Sequence, residues 1–180
     1  MSKLNQPLFF DLDPRTGQPT PTTYESMRVA MLGRHTIPVN VPDDVQGLLF
    51  TAIDYFALAY EQANSGREHL YERLTNDAFT KVALALELAL RRRLGRGNRV
   101  SLECLISAGT AADVLPSTDE YDLLWTELRK NRNAITHGDP DHSSYGPSTV
   151  GWIGLVIDAV SGIYTNAKAK PPFGNQDSAG

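Results

Sequence analysis

Arg132 and His137 stand five positions apart in the run Leu124-Trp125-Thr126-Glu127-Leu128-Arg129-Lys130-Asn131-Arg132-Asn133-Ala134-Ile135-Thr136-His137-Gly138. A guanidinium grips an anion through two parallel hydrogen bonds, and an imidazole titrates near neutral pH and can pass a proton. Around them Tyr121, Leu124, Trp125, Leu128 and Ile135 recur at helical spacing, and Arg132 falls inside that apolar stripe. A charge on an otherwise buried face is costly unless it is paired, opens into a cleft or faces another subunit. A structural ion pair, with Glu87 as the acid, satisfies the first condition; a functional site satisfies the others.

The elements that must position these residues are helical. From Pro42 onward Val45, Leu49, Ala52, Phe56 and Tyr60 recur at three-to-four spacing and predict a first helix. A second runs from about Arg67 or Thr75 to Leu94, with Phe79, Val82, Ala83, Leu86 and Leu90 on one side and Gly95 and Gly97 to stop it. A short third spans Ser101 to Ala108 and ends at Gly109. The fourth opens with the capping pattern Ser117-Thr118-Asp119-Glu120 and closes at Gly138. The fifth starts near Ser148 and carries two stripes: Val150, Ile153, Ile157, Val160 and Tyr164 cover a core, whereas Trp152, Leu155, Val156, Ala159 and Ile163 need a further surface, which a partner chain would supply.

Residues 1 to 40 hold Pro7, Pro14, Pro19, Pro21 and Pro38 and the turn-like Asp13-Pro14-Arg15-Thr16-Gly17, and read as an irregular arm. Within it, Leu8 to Leu12 and Thr36 to Val41 are the candidate strands of a small ribbon, and residues 22 to 32 a short helical turn. Residues 41–168 form the helical domain, and 169–180, with Pro171 and Pro172, a disordered tail. The expected fold is all-α: an up-and-down bundle of four to five helices preceded by that arm.

The run from Leu124 to Gly138 resembles the signature of HEPN domains, in which an arginine followed by a polar residue lies four to six positions before a histidine near a helix end. The Ala-Leu-Glu-Leu-Ala-Leu helix containing Glu87 and the turn Ser101-Leu102-x-x-Leu105-Ile106 resemble the same family, so the likeness spans about residues 45 to 165. It implies a metal-independent endoribonuclease, a toxin or antiviral defence effector, that needs no cofactor. In such an enzyme the RNA 2′-hydroxyl is the nucleophile, and the products are a 2′,3′-cyclic phosphate and a 5′-hydroxyl. On this reading Arg132 and His137 are catalytic, Asn133 orients the histidine or the phosphate, Arg129 and Lys130 bind substrate and Glu87 supports. The implied partners are RNA, a second copy across the face of the fourth and fifth helices, and an antitoxin or defence protein. The other reading is a non-catalytic HEPN dimerisation or RNA-binding module. One departure stands out: some toxin members carry a modifiable tyrosine two residues after the histidine, where this chain has Asp139, and Tyr145 is too distant to replace it.

Five residues along an ideal helix turn two side chains by about 140°, so Arg132 and His137 meet only if the last turn unwinds at Gly138 or a second chain completes the site. Further along, Arg91, Arg92, Arg93, Arg96 and Arg99 concentrate charge at the end of the second helix, either for RNA phosphates or as cations at a helix C-terminus. The net charge of −4 makes any polyanion contact local. His137, Asp139, Asp141 and His142 are the residues nearest to a metal cluster, but the adjacent Gly138 and Pro140 make an ordinary turn. A single cysteine, Cys104, excludes an internal disulfide framework and reads as a small buried hydrophobe, while His35 and His69 read as surface residues. With 41% hydrophobic and 21% charged residues, no signal-peptide run and no apolar stretch of roughly 20 residues, a cytoplasmic globular protein is expected.

Overall fold

A computed structural model describes residues 10–13, 15–137 and 148–165, giving the backbone alone at positions 10, 120, 129, 131–137 and 148–150. Strands β1 (Phe10–Leu12) and β2 (Pro19–Pro21) form an antiparallel hairpin. Six helices follow among the described residues: α1 (Tyr24–Arg34), α2 (Asp43–Asn64), α3 (Glu68–Leu94), α4 (Leu102–Ala111), α5 (Asp119–His137) and α6 (Ser148–Thr165). The all-α bundle expected from periodicity is the architecture observed.

α3 is the axis of the bundle. It pairs along its length with α2, packs on α6, and touches α4 and α5 as well. Ala78, Ala83, Ala85 and Ala89 are all buried, and their small side chains let neighbouring helices approach from several directions at interior packing density. Phe56 and Ile53 of α2, Phe79, Leu86 and Leu90 of α3, Leu105 of α4, Leu124 and Leu128 of α5, and Ile153, Ile157 and Ile163 of α6 meet in one fully buried core.

Helix ends follow local chemistry. α3 stops at Gly95, whose φ of 61° is the left-handed conformation that closes a helix C-terminus, and Arg96 N–H donates to the Arg91 carbonyl at 2.9 Å. α4 does not end at Gly109. It continues to Ala111 because Gly109 is a packing residue there, where a Cβ would lie 3.0 Å from Leu90 Cδ2 and 3.1 Å from Leu115 Cδ1. The chain then turns through Asp113 at φ 57°, and Val114 and Leu115 both donate to the Gly109 carbonyl.

The N-terminal region departs from the irregular arm that was expected. Residues 24–34 are a full helix, started by a capping box in which Thr23 Oγ1 accepts from Ser26 N–H and Ser26 Oγ accepts from Thr23 N–H. Ser26 Oγ also donates to Asp11 at 2.8 Å and so ties the hairpin to α1. The strand partner of Phe10–Leu12 is Pro19–Pro21, not Thr36–Val41. A turn closed by Gly17 N–H on the Asp13 carbonyl makes that local pairing, whereas Pro38 keeps the later segment out of any ladder.

Residues 35–41 instead form a strap along α6. His35 Nδ1 lies 3.0 Å from both carboxylate oxygens of Asp158, Ser161 Oγ donates to the Thr36 carbonyl at 3.0 Å, and Asn40 Nδ2 donates to the Tyr164 carbonyl at 2.8 Å. Val41 and Met31 join the core. α6 is therefore enclosed by its own chain: Val156, Ala159 and Ile163 are buried, and Trp152 and Leu155 are partly so. The second stripe of this helix was expected to need a partner chain; intramolecular packing covers it.

The strap seats closely only because position 154 lacks a side chain, and a Cβ there would collide with the His35 imidazole. Gly154→Ala should cost about 1–3 kcal/mol, as overpacking does. In a His35→Ala background the same change should be near neutral, so urea unfolding of the four proteins should give a coupling of that size. Additive costs would show that the imidazole does not occupy the space.

Candidate functional site

α5 starts at Asp119, and the Thr118 carbonyl before it accepts from Asp122 N–H at 2.9 Å. Leu124, Trp125 and Leu128 are buried and Tyr121 packs against the core, with its ring centroid 5.5 Å from that of Trp125. The helical register then carries this buried line to position 132, one turn beyond Leu128. Backbone helix persists through His137, so the last turn does not unwind before the histidine. Positions 132 and 137 consequently stay about 140° apart around the axis of one helix. Gly138, where unwinding was expected to bring them together, lies outside the described residues.

The side chains of Arg129, Arg132, Asn133 and His137 lie outside the described residues, as do Asp139, Asp141, His142 and Tyr145. Lys130 is exposed and pairs with Glu127 at 2.8 Å, a surface contact of the kind worth little to stability, so its charge remains presentable to a phosphate. Among the described residues there is no group of three or more His, Cys, Asp or Glu arranged to hold a metal. Glu87, proposed from sequence as the acid for Arg132, bonds Arg91 one turn along its own helix, 2.6 Å from Nη2, with both side chains nearly buried.

The arginine cluster divides in two. Arg91 also donates to the carbonyls of Gly97 and Val100, the latter at 2.7 Å, and so clamps the α3–α4 turn to α3. Arg92 forms a two-bond pair with Asp44 at the start of α2, one bond being 2.6 Å. That guanidinium holds the Asp44 carboxyl below the usual carboxylate range. Arg96 and Arg99 are exposed and make no ion pair among the described residues. At least two of the five cations are therefore structural. Tyr164, whose phenol burial pushes up, lies within electrostatic reach of Arg92, Arg93 and Asp44. Tyr121 shares a cleft with Thr165. The start of α5 and the end of α3 thus belong to the same end of the bundle, and His137 lies roughly 24 Å of helix rise away.

Two single-residue expectations fail. His35 is not a free surface histidine, because its side chain is 19% exposed and held by Asp158 beside Gly154. Cys104 is exposed rather than buried. His69 is exposed as expected. Sequence reasoning also missed the cleft of about 400 Å³ between the α4–α5 turn and α6, lined by Asp113, Leu115, Tyr121, Asp158, Ala159 and Gly162. It is assembled from segments at least 37 positions apart, and no local pattern announces it.

Arg91→Met should destabilise by about 2–4 kcal/mol, because it removes a nearly buried charge pair together with two carbonyl bonds. Arg96→Ala should stay within about 0.5 kcal/mol of wild type. Chemical denaturation of both separates the clamp from the free cations; equal effects would contradict the division. No family model, curated protein or solved structure matches this chain.

Proposed function

We propose that the chain is a metal-independent endoribonuclease of the HEPN type, with Arg132 and His137 catalytic, Asn133 positioning, and Arg129 and Lys130 on substrate phosphate. The observation that carries this reading is the register of α5. Leu124 and Leu128 are fully buried, and position 132 continues their line along the helix, so the sequence has an arginine at a register position where the helix otherwise places leucine. Such a placement needs an anionic partner. A phosphodiester held in a composite groove is a fitting one.

In this reaction the 2′-hydroxyl loses its proton to one imidazole and attacks phosphorus, the P–O5′ bond breaks, and the departing oxygen takes a proton from a second imidazole. Charge on the nonbridging oxygens is met by Arg132. Because positions 132 and 137 diverge on one helix, a twofold axis that brings two copies of α5 together supplies both imidazoles and both guanidiniums. We assign such an enzyme to the cytoplasm as a toxin or defence effector, restrained by an antitoxin or defence partner. The same register also suits a non-catalytic HEPN module in which Arg132 serves structure, and assay separates the two.

The purified protein should cleave single-stranded RNA to 2′,3′-cyclic phosphate and 5′-hydroxyl ends, with activity unchanged by chelators. His137→Ala and Arg132→Ala should each lower the rate by at least about a hundredfold while retaining the wild-type melting temperature. Mixing the two inactive variants should not restore wild-type activity, since the single groove of each mixed dimer then lacks one imidazole and one guanidinium. Equal activity in all three proteins removes the enzyme reading, and loss of folding in Arg132→Ala assigns that residue to structure.

A further inference from the structure

On the outer side of α3 two hollows run into one another. The first, of about 270 Å³, has Leu48 of α2 with Leu84 and Leu88 of α3 as its apolar lining. The second, of about 460 Å³, continues past Arg92 and Arg96 to Gly97. Both include Leu88, Arg91 and Asn98, so they form one trough, apolar at one end and basic at the other. Leu84 is 40% exposed, one of the few large hydrophobic side chains left in water. Arg91 and Arg92 are matched by Glu87 and Asp44, which leaves the charge of Arg96, with Arg99 nearby, to give the basic end its sign.

The first turns of α5 carry the converse pattern. Asp119 and Asp122 are exposed and make no ion pair among the described residues, and between them and the buried face stands Leu123, 57% exposed. Positions 119, 122 and 123 fall within about 100° of one another on the helix and make an acidic ridge with one apolar side chain. Trough and ridge hold two of the few large hydrophobics left in water, with uncompensated charge of opposite sign beside each.

We infer that the α5 ridge of a second copy of this chain docks in the α3 trough, with Leu123 against Leu84 and Leu88, and Asp119 and Asp122 against Arg96 and Arg99. The contact joins two different patches, so it closes into a dimer only if two such contacts form about a twofold axis, and otherwise extends into a chain. A single-stranded RNA is the poorer occupant. The trough lining contains no aromatic ring on which a base could stack, and two of its arginines are already bonded within the protein. The contact uses no residue of the 132–137 run, so it is independent of the composite groove proposed above.

Sedimentation of the full-length protein over a range of concentrations tests it. Association should weaken at least about tenfold in Arg96→Glu/Arg99→Glu, where trough and ridge are both acidic, and in Asp119→Lys/Asp122→Lys, where both are basic. An equimolar mixture of the two variants restores opposite signs at every contact and should associate at least as tightly as wild type. Leu84→Ser should weaken association without touching charge, and circular dichroism melts confirm that each variant is folded. The inference is overturned if wild type is monomeric at every concentration, or if its mass is indifferent to all of these changes. A dimer that persists unchanged in the variants would leave the composite groove standing and remove the trough contact. Binding of a labelled single-stranded RNA that is lost in Arg96→Glu/Arg99→Glu while the mass is unchanged would also overturn it, assigning the basic end to nucleic acid.

Discussion

The packing of four other helices against α3 is the constraint from which the rest of the arrangement follows. A helix of 27 residues that contacts α2, α4, α5 and α6 cannot carry large side chains on every face. Its alanines at 78, 83, 85 and 89 give the neighbours room, and its larger side chains, Phe79, Leu86 and Leu90, fill the gaps between them. Enclosure on this scale also fixes where charge can go. Glu87 and Arg91 are tolerated on such a helix because they satisfy one another and because Arg91 reaches two backbone carbonyls of the following turn. That one side chain joins the end of α3 to the start of α4, so a nearly buried cation, together with Leu94 and Val100 packed on the core, holds the turn that brings Leu105 inward.

A second consequence is the separation of charges along the molecule. The bonds of Arg92 to Asp44 and of Arg91 to Glu87 absorb part of a conspicuous basic run into the scaffold, while Arg96 and Arg99, beyond the helix stop at Gly95, stay in water. Nearby, at the same end of the bundle, α5 starts with acids, as the positive end of a helix dipole favours. An acidic protein thus presents a local basic surface at the end of the bundle remote from His137. Any polyanion engaged by the end of α5 meets different charges from one engaged by the end of α3.

The helices from α2 to α6 were readable because each announces itself within a few turns: periodic apolar residues inside, and Pro42, Gly95, Ser101 or Thr118 at an end. α1 was not, because its apolar line is sparse, with Met31 its one fully buried side chain, and because Ser26 takes the place in the capping box where glutamate or glutamine is the usual signal. The strap from His35 to Val41 was misread as strand for a different reason. Its partners are Asp158, Ser161 and Tyr164, more than 120 positions away, and only the folded chain reveals that Gly154 was left bare for an imidazole. The same distance problem hid the role of Arg92, whose acid lies 48 positions earlier. For the candidate site, residue types and the helix that bears them were legible, and the register of α5 agrees with the reading that places position 132 on its inner line.

That register sharpens what α5 can and cannot do alone. Had the helix ended at Arg132, a free segment could have folded His137 back toward the guanidinium, and one chain would suffice for any chemistry that needs both. Helical backbone through His137 removes that freedom, since each further residue adds about 100° of turn and 1.5 Å of rise. The intramolecular burial of α6 removes another argument, because its second apolar stripe no longer demands a partner. What remains is geometric: positions 132 and 137 diverge by about 140° around α5, and the proposed composite groove is the reading that uses this divergence. The case for a composite groove therefore rests on the divergence of two positions along a rigid helix, not on exposed hydrophobic surface, and a monomer that kept full activity would have to bend that helix to do so.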